Sequence, residues 1–337
     1  MKSIKLMLSF LLVIVSGLFL SACGSKYKIR LAEVTHSVFY APQYVALELG
    51  YFEEEGLDVT LVLTSGADKT MAALLSRDAQ IGLMGPEASI FVYNGGQKNY
   101  AINFIQLTQC DGSFLVAREK IDNWDWDMVK GKEIIGGRKG GVPEMTLEYV
   151  LKQKGYDVGQ NDPTKEVNVR TDIDFAAQGG AFVSGEGDFV TMFEPAALQL
   201  EKDGHGYVVA SIGKEAPGIP FTAYSTTKEY MEKNPDVIQK FTNAIYRAQI
   251  WVQNHSAREI AEVIHPHFRE TSLDDLEIVM QRYRDIDAWK ADPTFPESAL
   301  NKLMEVMELA NELEKRAPYD KIVTNKFANE AMKNIGK

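Results

Sequence analysis

The sequence has little cysteine and no excess of positive charge. Only two cysteines occur in 337 residues, and one of them, Cys23, lies in an N-terminal segment, so no disulfide is expected inside the folded part. Lys and Arg number 36 against 47 Asp and Glu, which gives a formal net charge of −11. A nucleic-acid partner is therefore not expected, because phosphate binding requires a basic face.

Long apolar runs are also scarce, and the one that stands out is at the N-terminus. LMLSFLLVIVSGLFL (6–20) follows two lysines and, at about 15 residues, falls short of the roughly 20 that span a bilayer. It predicts a secretory signal. Leu20 to Cys23, LSAC, resembles the bacterial lipoprotein signal. That resemblance implies removal of residues 1–22 and lipidation of Cys23, with 23–27 as lipidated N-terminus and tether, which would anchor an extracytoplasmic protein to the bacterial cell membrane.

After the N-terminal segment, short β-rich runs alternate with helical segments through the first two thirds of the chain. The predicted strands are 27–34, 57–63, 79–85, 100–108, 131–137, 166–171 and 188–193. Helices are predicted between them, several opening at a proline, which is typical of a first helical position. This alternation predicts an α/β fold with parallel sheets. From Thr226 onward the chain is predicted to be mainly helical, including 236–255 and 297–316.

The length favours two domains, and the two series of strands suggest two lobes between which the chain crosses twice. We predict lobe I from residues 28–112 and 221–337, with the C-terminal helices, and lobe II from residues 113–220. The hinge is predicted near Gly112 and Pro220.

Ligands bind outside the carboxyl ends of parallel strands, where loops lead into helices. THSVFYAP (35–42) offers His36, Ser37, Phe39 and Tyr40 for hydrogen bonding and stacking. A helix cap with buried aromatics is the alternative. Two further junctions, TSGADKT (64–70) and GPEAS (85–89), offer backbone access and polar groups, but the same residue types suit a plain helix cap. Their candidate residues are Gly66, Gly85 and Glu87.

The densest glycine cluster is IIGGRKGGVPEMT (134–146). It is not a phosphate-binding P-loop, because Lys139 is followed by Gly140 rather than Ser or Thr, and no dinucleotide fingerprint follows. It is predicted to be a loop that contacts a small ligand through Arg138, Gly140, Gly141 and Glu144.

TMFEPAA (191–197) adds Phe193 and Glu194. Acids therefore flank three helix-starting prolines, at Glu87, Glu144 and Glu194. The helix macrodipole alone would favour them there. If they surround one cleft, they disfavour a bare anion and favour a solute with N–H donors or positive charge.

Four segments carry a family resemblance: FYAPQYVALELGYFEEEGLDV, LLSRDAQIGLMGPEASI, GGRKGGVPEMTLEYVLKQKG and GDFVTMFEPAA. With them, the chain after the lipid anchor resembles substrate-binding proteins of ABC importers for sulfonates, nitrate and thiamine-pyrimidine precursors, a family that includes the eukaryotic pyrimidine-precursor synthases. The resemblance implies a type II periplasmic-binding fold: two α/β lobes that close on a solute and hand it to a permease and its ATPase. We add Gln109, Ser113 and Tyr224 to the predicted ligand contacts.

Three other functions are considered for a chain of this kind: an enzyme, a metal carrier and a ligand sensor. A synthase-like enzyme is not expected, because the cysteine-rich segment of the eukaryotic relatives is lacking, Cys110 stands alone, and His36 has no partner motif. A metal carrier is not expected, since HPH (265–267) lies in the helical tail without further ligands. A receptor-linked sensor stays open.

We expect a monomeric binding protein without cofactor or metal. Its expected solute is a thiamine-type pyrimidine precursor or a similar nitrogen heterocycle. A sulfonate such as taurine, or nitrate, is the alternative, bound by His36, Arg138 and Lys139.

Overall fold

The computed structural model describes residues 27–335. The predicted signal peptide and the lipidation of Cys23 lie outside the described residues. None of the helices in 27–335 is both long and apolar enough to cross a bilayer.

The described chain contains eleven strands in two separate sheets. In chain order they are β1 (Tyr27–Glu33), β2 (Leu57–Leu63), β3 (Ile81–Met84), β4 (Ala101–Thr108), β5 (Ser113–Ala117), β6 (Lys132–Ile135), β7 (Val158–Gln160), β8 (Val167–Arg170), β9 (Phe189–Phe193), β10 (Tyr207–Ser211) and β11 (Thr222–Thr227).

Sheet A, in lobe I, has the order β2-β1-β3-β11-β4. Strands β1, β2 and β3 run parallel, whereas β11 is antiparallel to both β3 and β4. The strand β11 was not predicted from the sequence. It belongs to sheet A because the chain returns from lobe II in the opposite direction and fills the gap between β3 and β4.

Sheet B, in lobe II, has the order β10-β5-β9-β6-β8-β7. Its centre is parallel, as expected for βαβ units, since β6 pairs in parallel with both β8 and β9. At one side β5 is antiparallel to β9 and β10. The sequence pattern predicted neither β5, β7 nor β10, because these strands are short or lie beside the crossings between the lobes. Both sheets are therefore mixed rather than purely parallel.

Fifteen α-helices are described in 27–335. They are α1 (Ala41–Glu48), α2 (Tyr51–Glu54), α3 (Ala67–Leu75), α4 (Glu87–Asn94), α5 (Val142–Gln153), α6 (Gln178–Val183), α7 (Ala196–Lys202), α8 (Ile212–Glu215), α9 (Lys228–Lys233), α10 (Pro235–Asn254), α11 (Ala257–Ile264), α12 (Leu273–Asp285), α13 (Glu297–Leu309), α14 (Tyr319–Ile322) and α15 (Lys326–Ile335).

Helix α10 covers lobe I, where it packs against α1, α2 and α15. Its buried residues recur at three- and four-residue spacing, from Val237 and Ile238 through Phe241 to Ile245 and Val252, which is the apolar stripe expected of a helix on a core.

The predicted helix 297–316 is wrong at its end, because α13 stops at Leu309. Asn311 follows with a φ of 59°, in the left-handed region that ends a helix. Helix α13 reaches lobe II, where it packs against α5. Lys302 contacts Tyr149 Oη, and Lys152 Nζ donates to the Leu309 carbonyl over 2.8 Å. The C-terminal region thus joins both lobes.

Candidate functional site

The carboxyl ends of parallel strands of both sheets lie on either side of the boundary between the two lobes, and we call this boundary the cleft. From lobe I the loops after β1, β2 and β3 contribute, and from lobe II the loops after β6, β8 and β9 contribute. The two walls meet directly, since Arg138 Nη1 of lobe II lies 3.1 Å from Asp68 Oδ1 of lobe I. This is the location at which open α/β sheets bind ligands.

An aromatic cluster closes the hinge end of the cleft. Phe39 is fully buried, and its ring centroid lies 5.9 Å from Phe193, 5.7 Å from Phe221 and 4.9 Å from Tyr283. Phe175 stands 5.6 Å from Phe193 and is 46% exposed. Such tilted and edge-on rings pack favourably, and the half-open side of Phe193 and Phe175 offers a planar solute a surface on which to stack.

The predicted hinge lies against this cluster. A Cβ at Gly112 would lie 2.7 Å from two ring carbons of Phe39, which is closer than carbon atoms approach without a shift. A glycine in this position lets the crossing strand run directly over the ring.

Glu87 is the clearest polar candidate on the lobe I wall. It begins α4, and its side chain folds back over Gly85 at the end of β3, where any Cβ on that glycine would collide with the carboxylate. The residue is 5% exposed, and its Oε2 atom is buried without a hydrogen-bond partner. Burial raises the pKa of Glu87 to about 7, opposed by hydrogen bonds from its own and the Ala88 backbone N–H groups. Backbone N–H groups at the start of α4 thus contact the carboxyl, while its Oε2 atom has no protein partner.

Tyr40 lies beside Glu87 and is 3% exposed. Burial, followed by the charges of Glu33 and Glu87, raises the pKa of its phenol well above its usual range. It therefore stays a neutral phenol, able to donate or to accept a hydrogen bond.

His36 is held by protein partners. Its Nδ1 lies 3.0 Å from Glu33 Oε1, its Nε2 lies 2.9 Å from the His267 carbonyl, and its ring stacks on Phe268 at 4.6 Å. The hydrogen bond that His36 donates to the Glu33 carboxylate raises the pKa of His36, although burial opposes it. In this arrangement His36 connects the loop after β1 to His267 and Phe268 in the C-terminal region. We therefore do not include His36 among the proposed ligand contacts.

The glycine-rich loop after β6 contributes backbone groups to the site, because the charge of its Arg138 is already paired with an acid. Gly140 has a φ of 74°, and its N–H donates to Glu144 Oε2 over 3.1 Å. Gly141 caps α5. Opposite, Gly66 has a φ of 134°, and a Cβ on it would lie 3.5 Å from Arg138 Nη1. The loop therefore passes close to lobe I, and Arg138 is paired with Asp68 there.

Glu144 forms a buried pair with a second acid. Burial and then Glu148, one helical turn away, raise the pKa of Glu144. Its oxygens accept from Gly140 N and from Gln160 Nε2 at 3.0 Å, whereas Glu148 Oε2 accepts from Lys152 at 2.5 Å. Two carboxylates this close cannot both ionise cheaply, so the pair retains a proton. These contacts occupy Glu144 inside lobe II.

Glu194 is likewise occupied. It is 2% exposed, pairs with Arg282 of α12 and accepts from the Leu198 N–H over 2.9 Å. Burial raises the pKa of Glu194, while Arg282 lowers it. Glu194 therefore links lobe II to the tail, next to Tyr283 of the aromatic cluster.

Three other predicted contacts also have protein partners. Tyr224 is fully buried in sheet A and donates to Gln43 Oε1 over 3.1 Å. Ser37 caps a short helical turn by accepting from Phe39 N. Gln109 Nε2 donates to the Asp287 carbonyl over 2.9 Å. Because these side chains already have protein partners, we do not include them among the proposed contacts; their role as ligand contacts stays a prediction.

Ser113 sits at the crossing between the lobes beside Asp111, which the sequence analysis did not single out as a contact. Asp111 Oδ1 accepts from Ser113 N over 2.7 Å, while Asp111 Oδ2 and Ser113 Oγ are buried without a partner. Burial raises the pKa of Asp111 to about 7. Two unpartnered polar groups thus lie in the hinge, at the end of the cleft that the aromatic cluster closes.

Sequence reasoning missed Gln178 and Phe175. Both lie in the junction after β8, which the rule about strand ends would have included. The stretch DIDFAAQGG (172–180) was instead interpreted only as the start of a helix. Gln178 is 1% exposed, and its Nε2 has no hydrogen-bond partner.

Within residues 27–335, no three His, Cys, Asp or Glu side chains are grouped so that they could hold a metal ion. His265 and His267 lie in a short 3₁₀ turn between α11 and α12, where His267 Nε2 is 2.8 Å from Glu48 Oε1. Cys110 is a free, buried thiol, and burial raises its pKa, so it has none of the thiolate character of a nucleophile.

Comparison with known families places the chain. The profile of the NMT1-like family matches residues 28–265. This protein belongs to the NMT1-like family. It is also 45% identical over 312 residues to "Putative binding protein YtlA" of Bacillus subtilis, covering 92% of each chain.

Solved structures show the same fold at low identity. One is the ligand-binding component of an ABC-type import system from Staphylococcus aureus, with a TM-score of 0.72, 14% identity, and coverage of 91% of this chain and 99% of that one. Another is the periplasmic nitrate-binding protein NrtA from Synechocystis, with a TM-score of 0.72, 15% identity, and coverage of 92% and 89%. The predicted periplasmic-binding-protein fold and the family resemblance are confirmed.

Proposed function

We propose that this protein is the solute-binding protein of an ABC importer, which captures a small organic solute between its lobes and delivers it to a permease. The observation that carries the proposal is Glu87 Oε2, a buried and unpartnered acceptor at the strand ends of lobe I. Buried polar atoms are nearly always hydrogen-bonded. An unpaired acceptor beside the cleft is therefore suited to hydrogen-bond a ligand.

The preferred solute is a nitrogen heterocycle, such as a thiamine-type pyrimidine precursor. Its N–H donors would pair with Glu87, and its ring would stack beside Phe193. An anion has less support, because the two cations of the glycine-rich loop already have acidic partners: Arg138 is 3.1 Å from Asp68, and Lys139 is 3.6 Å from Glu312. Once ionised, the buried Glu87 carboxylate also repels an anion. Sulfonates, taurine and nitrate are the alternative that the test must separate.

The wider setting belongs to the same proposal. The protein is a monomer without catalytic activity, held outside the cytoplasm by a lipid on Cys23, and its partners are a permease and an ATPase. The role as a binding component of an importer is supported by the NMT1-like family, the YtlA relative and the shared fold. Closure follows the usual rule that a solute shifts the population toward the lobe arrangement it binds better.

A thermal-shift screen tests the solute. The chain without its signal, with Cys23 replaced, is heated with aminopyrimidines, taurine, alkanesulfonates and nitrate, because a ligand of the native state raises the melting temperature by mass action. We expect a rise with aminopyrimidines that Glu87→Gln abolishes. Glu119→Gln, at an exposed position after β5, is the matched control and should keep the rise. A rise with sulfonates or nitrate alone would contradict the heterocycle.

A further inference from the structure

We infer that Gln178 is the solute-binding residue of lobe II, so that the solute carries a hydrogen-bond acceptor as well as the donor edge that Glu87 binds. This inference rests on the proposed function. Gln178 begins α6 and is 1% exposed, yet its Nε2 has no hydrogen-bond partner. An amide N–H left unpaired in a folded core costs stability that a ligand can recover.

The position of Gln178 points to the cleft. Gly137, two residues beyond β6, has a φ of 99°, and a Cβ on it would lie 3.4 Å from Gln178 Nε2. The next residue, Arg138, crosses to Asp68 of lobe I. Phe175, in the turn just before α6, packs against Phe193 of the aromatic cluster. The amide is therefore flanked by the crossing loop and by the cluster that closes the cleft.

Glu87 and Gln178 have complementary chemistry. Glu87 Oε2 from lobe I accepts hydrogen bonds, whereas Gln178 Nε2 from lobe II donates them. A solute that pairs with both connects the lobes, and each pairing is complete only when the lobes are together. The class of solute that fits is a planar nitrogen heterocycle with an amino edge for Glu87 and a carbonyl or similar acceptor for Gln178.

Two aminopyrimidines test the assignment: cytosine has a C2 carbonyl and an N1–H group, whereas 4-aminopyrimidine has neither, so the change in their affinity ratio on Gln178→Met isolates the contribution of Gln178. Cytosine and 4-aminopyrimidine both present an amino group beside a ring nitrogen, but cytosine also has a carbonyl. We expect the wild-type protein to bind cytosine about tenfold more tightly, which is the difference made by one buried hydrogen bond, and Gln178→Met to reduce the ratio to about one. An unchanged ratio in Gln178→Met would overturn the inference.

A measurement without ligand separates this inference from the proposed function. Methionine matches glutamine in shape and has no amide to leave unpaired, so unliganded Gln178→Met should melt at the wild-type temperature or above. The control is Gln43→Met. Gln43 is fully buried, with its Nε2 donating to Glu33 over 2.8 Å and its Oε1 accepting from Tyr224, so this variant should melt lower by about 2 °C or more.

If Gln178→Met melts as low as Gln43→Met, then Gln178 has a structural partner and the inference is wrong. If neither pyrimidine shifts the melting temperature of the wild-type protein, the heterocycle proposal fails. The role of Gln178 is then decided by the unliganded comparison, in which an unchanged or raised melting temperature supports a binding amide.

Discussion

Arg138 and Asp68 form an ion pair across the cleft, with 3.1 Å between Nη1 and Oδ1. One belongs to lobe II and the other to lobe I, and both side chains are more than half exposed. An exposed pair adds little to folding stability. Its effect should instead appear in the equilibrium between open and closed lobes, because the pair exists only when the walls meet.

We therefore expect Arg138→Gln to open the unliganded protein without destabilising it. Small-angle scattering should give a larger radius of gyration, while the free energy of unfolding changes by less than about 0.5 kcal/mol. Lys165→Gln is the control, since Lys165 pairs with Asp157 within lobe II at 3.1 Å, and should leave the radius unchanged. An equal radius for both variants would show that the ion pair does not hold the walls together.

Glu87 should make the protein less stable as the pH rises. Its folded pKa of about 7 exceeds the usual value near 4.3, so the folded state keeps a proton that the unfolded state releases between these values. Stability is then lost from about pH 4.5 to pH 7 and stays low above it. Glu87→Gln should be more stable than wild type at pH 8, by roughly 2–3 kcal/mol, and nearly equal at pH 4.

Denaturant unfolding at several pH values measures this difference. The free energy of unfolding of Glu119→Gln, at an exposed position, should follow that of the wild type at every pH. A gap between Glu87→Gln and wild type that does not change from pH 4 to pH 8 would mean that burial does not hold the proton on Glu87.

The Glu144 and Glu148 pair should respond to removal of one acid. The amide of Glu148→Gln keeps an oxygen that accepts from Lys152 and supplies an N–H that donates toward Glu144. The hydrogen bond between the two side chains then no longer depends on a proton that titrates. Because the raised pKa of Glu144 means that stability falls as the pH rises, the variant should be more stable than wild type above pH 7, by about 1–2 kcal/mol.

Calorimetric melting at pH 5 and pH 8 checks this expectation. The gain should appear at pH 8 and be small at pH 5. Glu314→Gln, exposed in the tail, serves as the matched acid-to-amide change with no expected effect. A loss of stability at pH 8 in Glu148→Gln would mean that its bond to Lys152 outweighs the repulsion between the acids.

Gly112→Ala should strain the hinge. The new Cβ would stand 2.7 Å from two carbons of the Phe39 ring, so either the ring or the crossing strand must shift, at a cost of about 1–3 kcal/mol. Gly180→Ala is the control, since no atom lies within 4 Å of its Cβ position in α6. Chemical denaturation compares the two, and an unaltered midpoint for Gly112→Ala would show that Phe39 yields freely.

The sequence predicted most of the strands and the position of Glu87, because apolar runs and helix starts are local signals. It did not predict the aromatic cluster, in which Phe39 meets Phe221 and Tyr283 from distant parts of the chain. Glu144 shows another limit. Its partner Glu148 was visible one helical turn away, yet only burial makes the two carboxyls share a proton, and burial is a property of the folded chain.

Gln178 was missed for a similar reason. Glutamine before two glycines is an ordinary start for a short helix, and only the packed structure reveals that its amide is enclosed without a partner. Unsatisfied groups are invisible in a sequence, which is why the sequence analysis favoured charged and aromatic residues over a neutral amide.

The ion pair at one end and the aromatic rings at the other have a kinetic consequence. Both contacts join the two lobes, so a molecule bound between Glu87 and Gln178 would leave most easily after these contacts separate. Its residence time would then depend on how often the lobes open, and a solute that stabilises the closed lobes more strongly would stay bound longer.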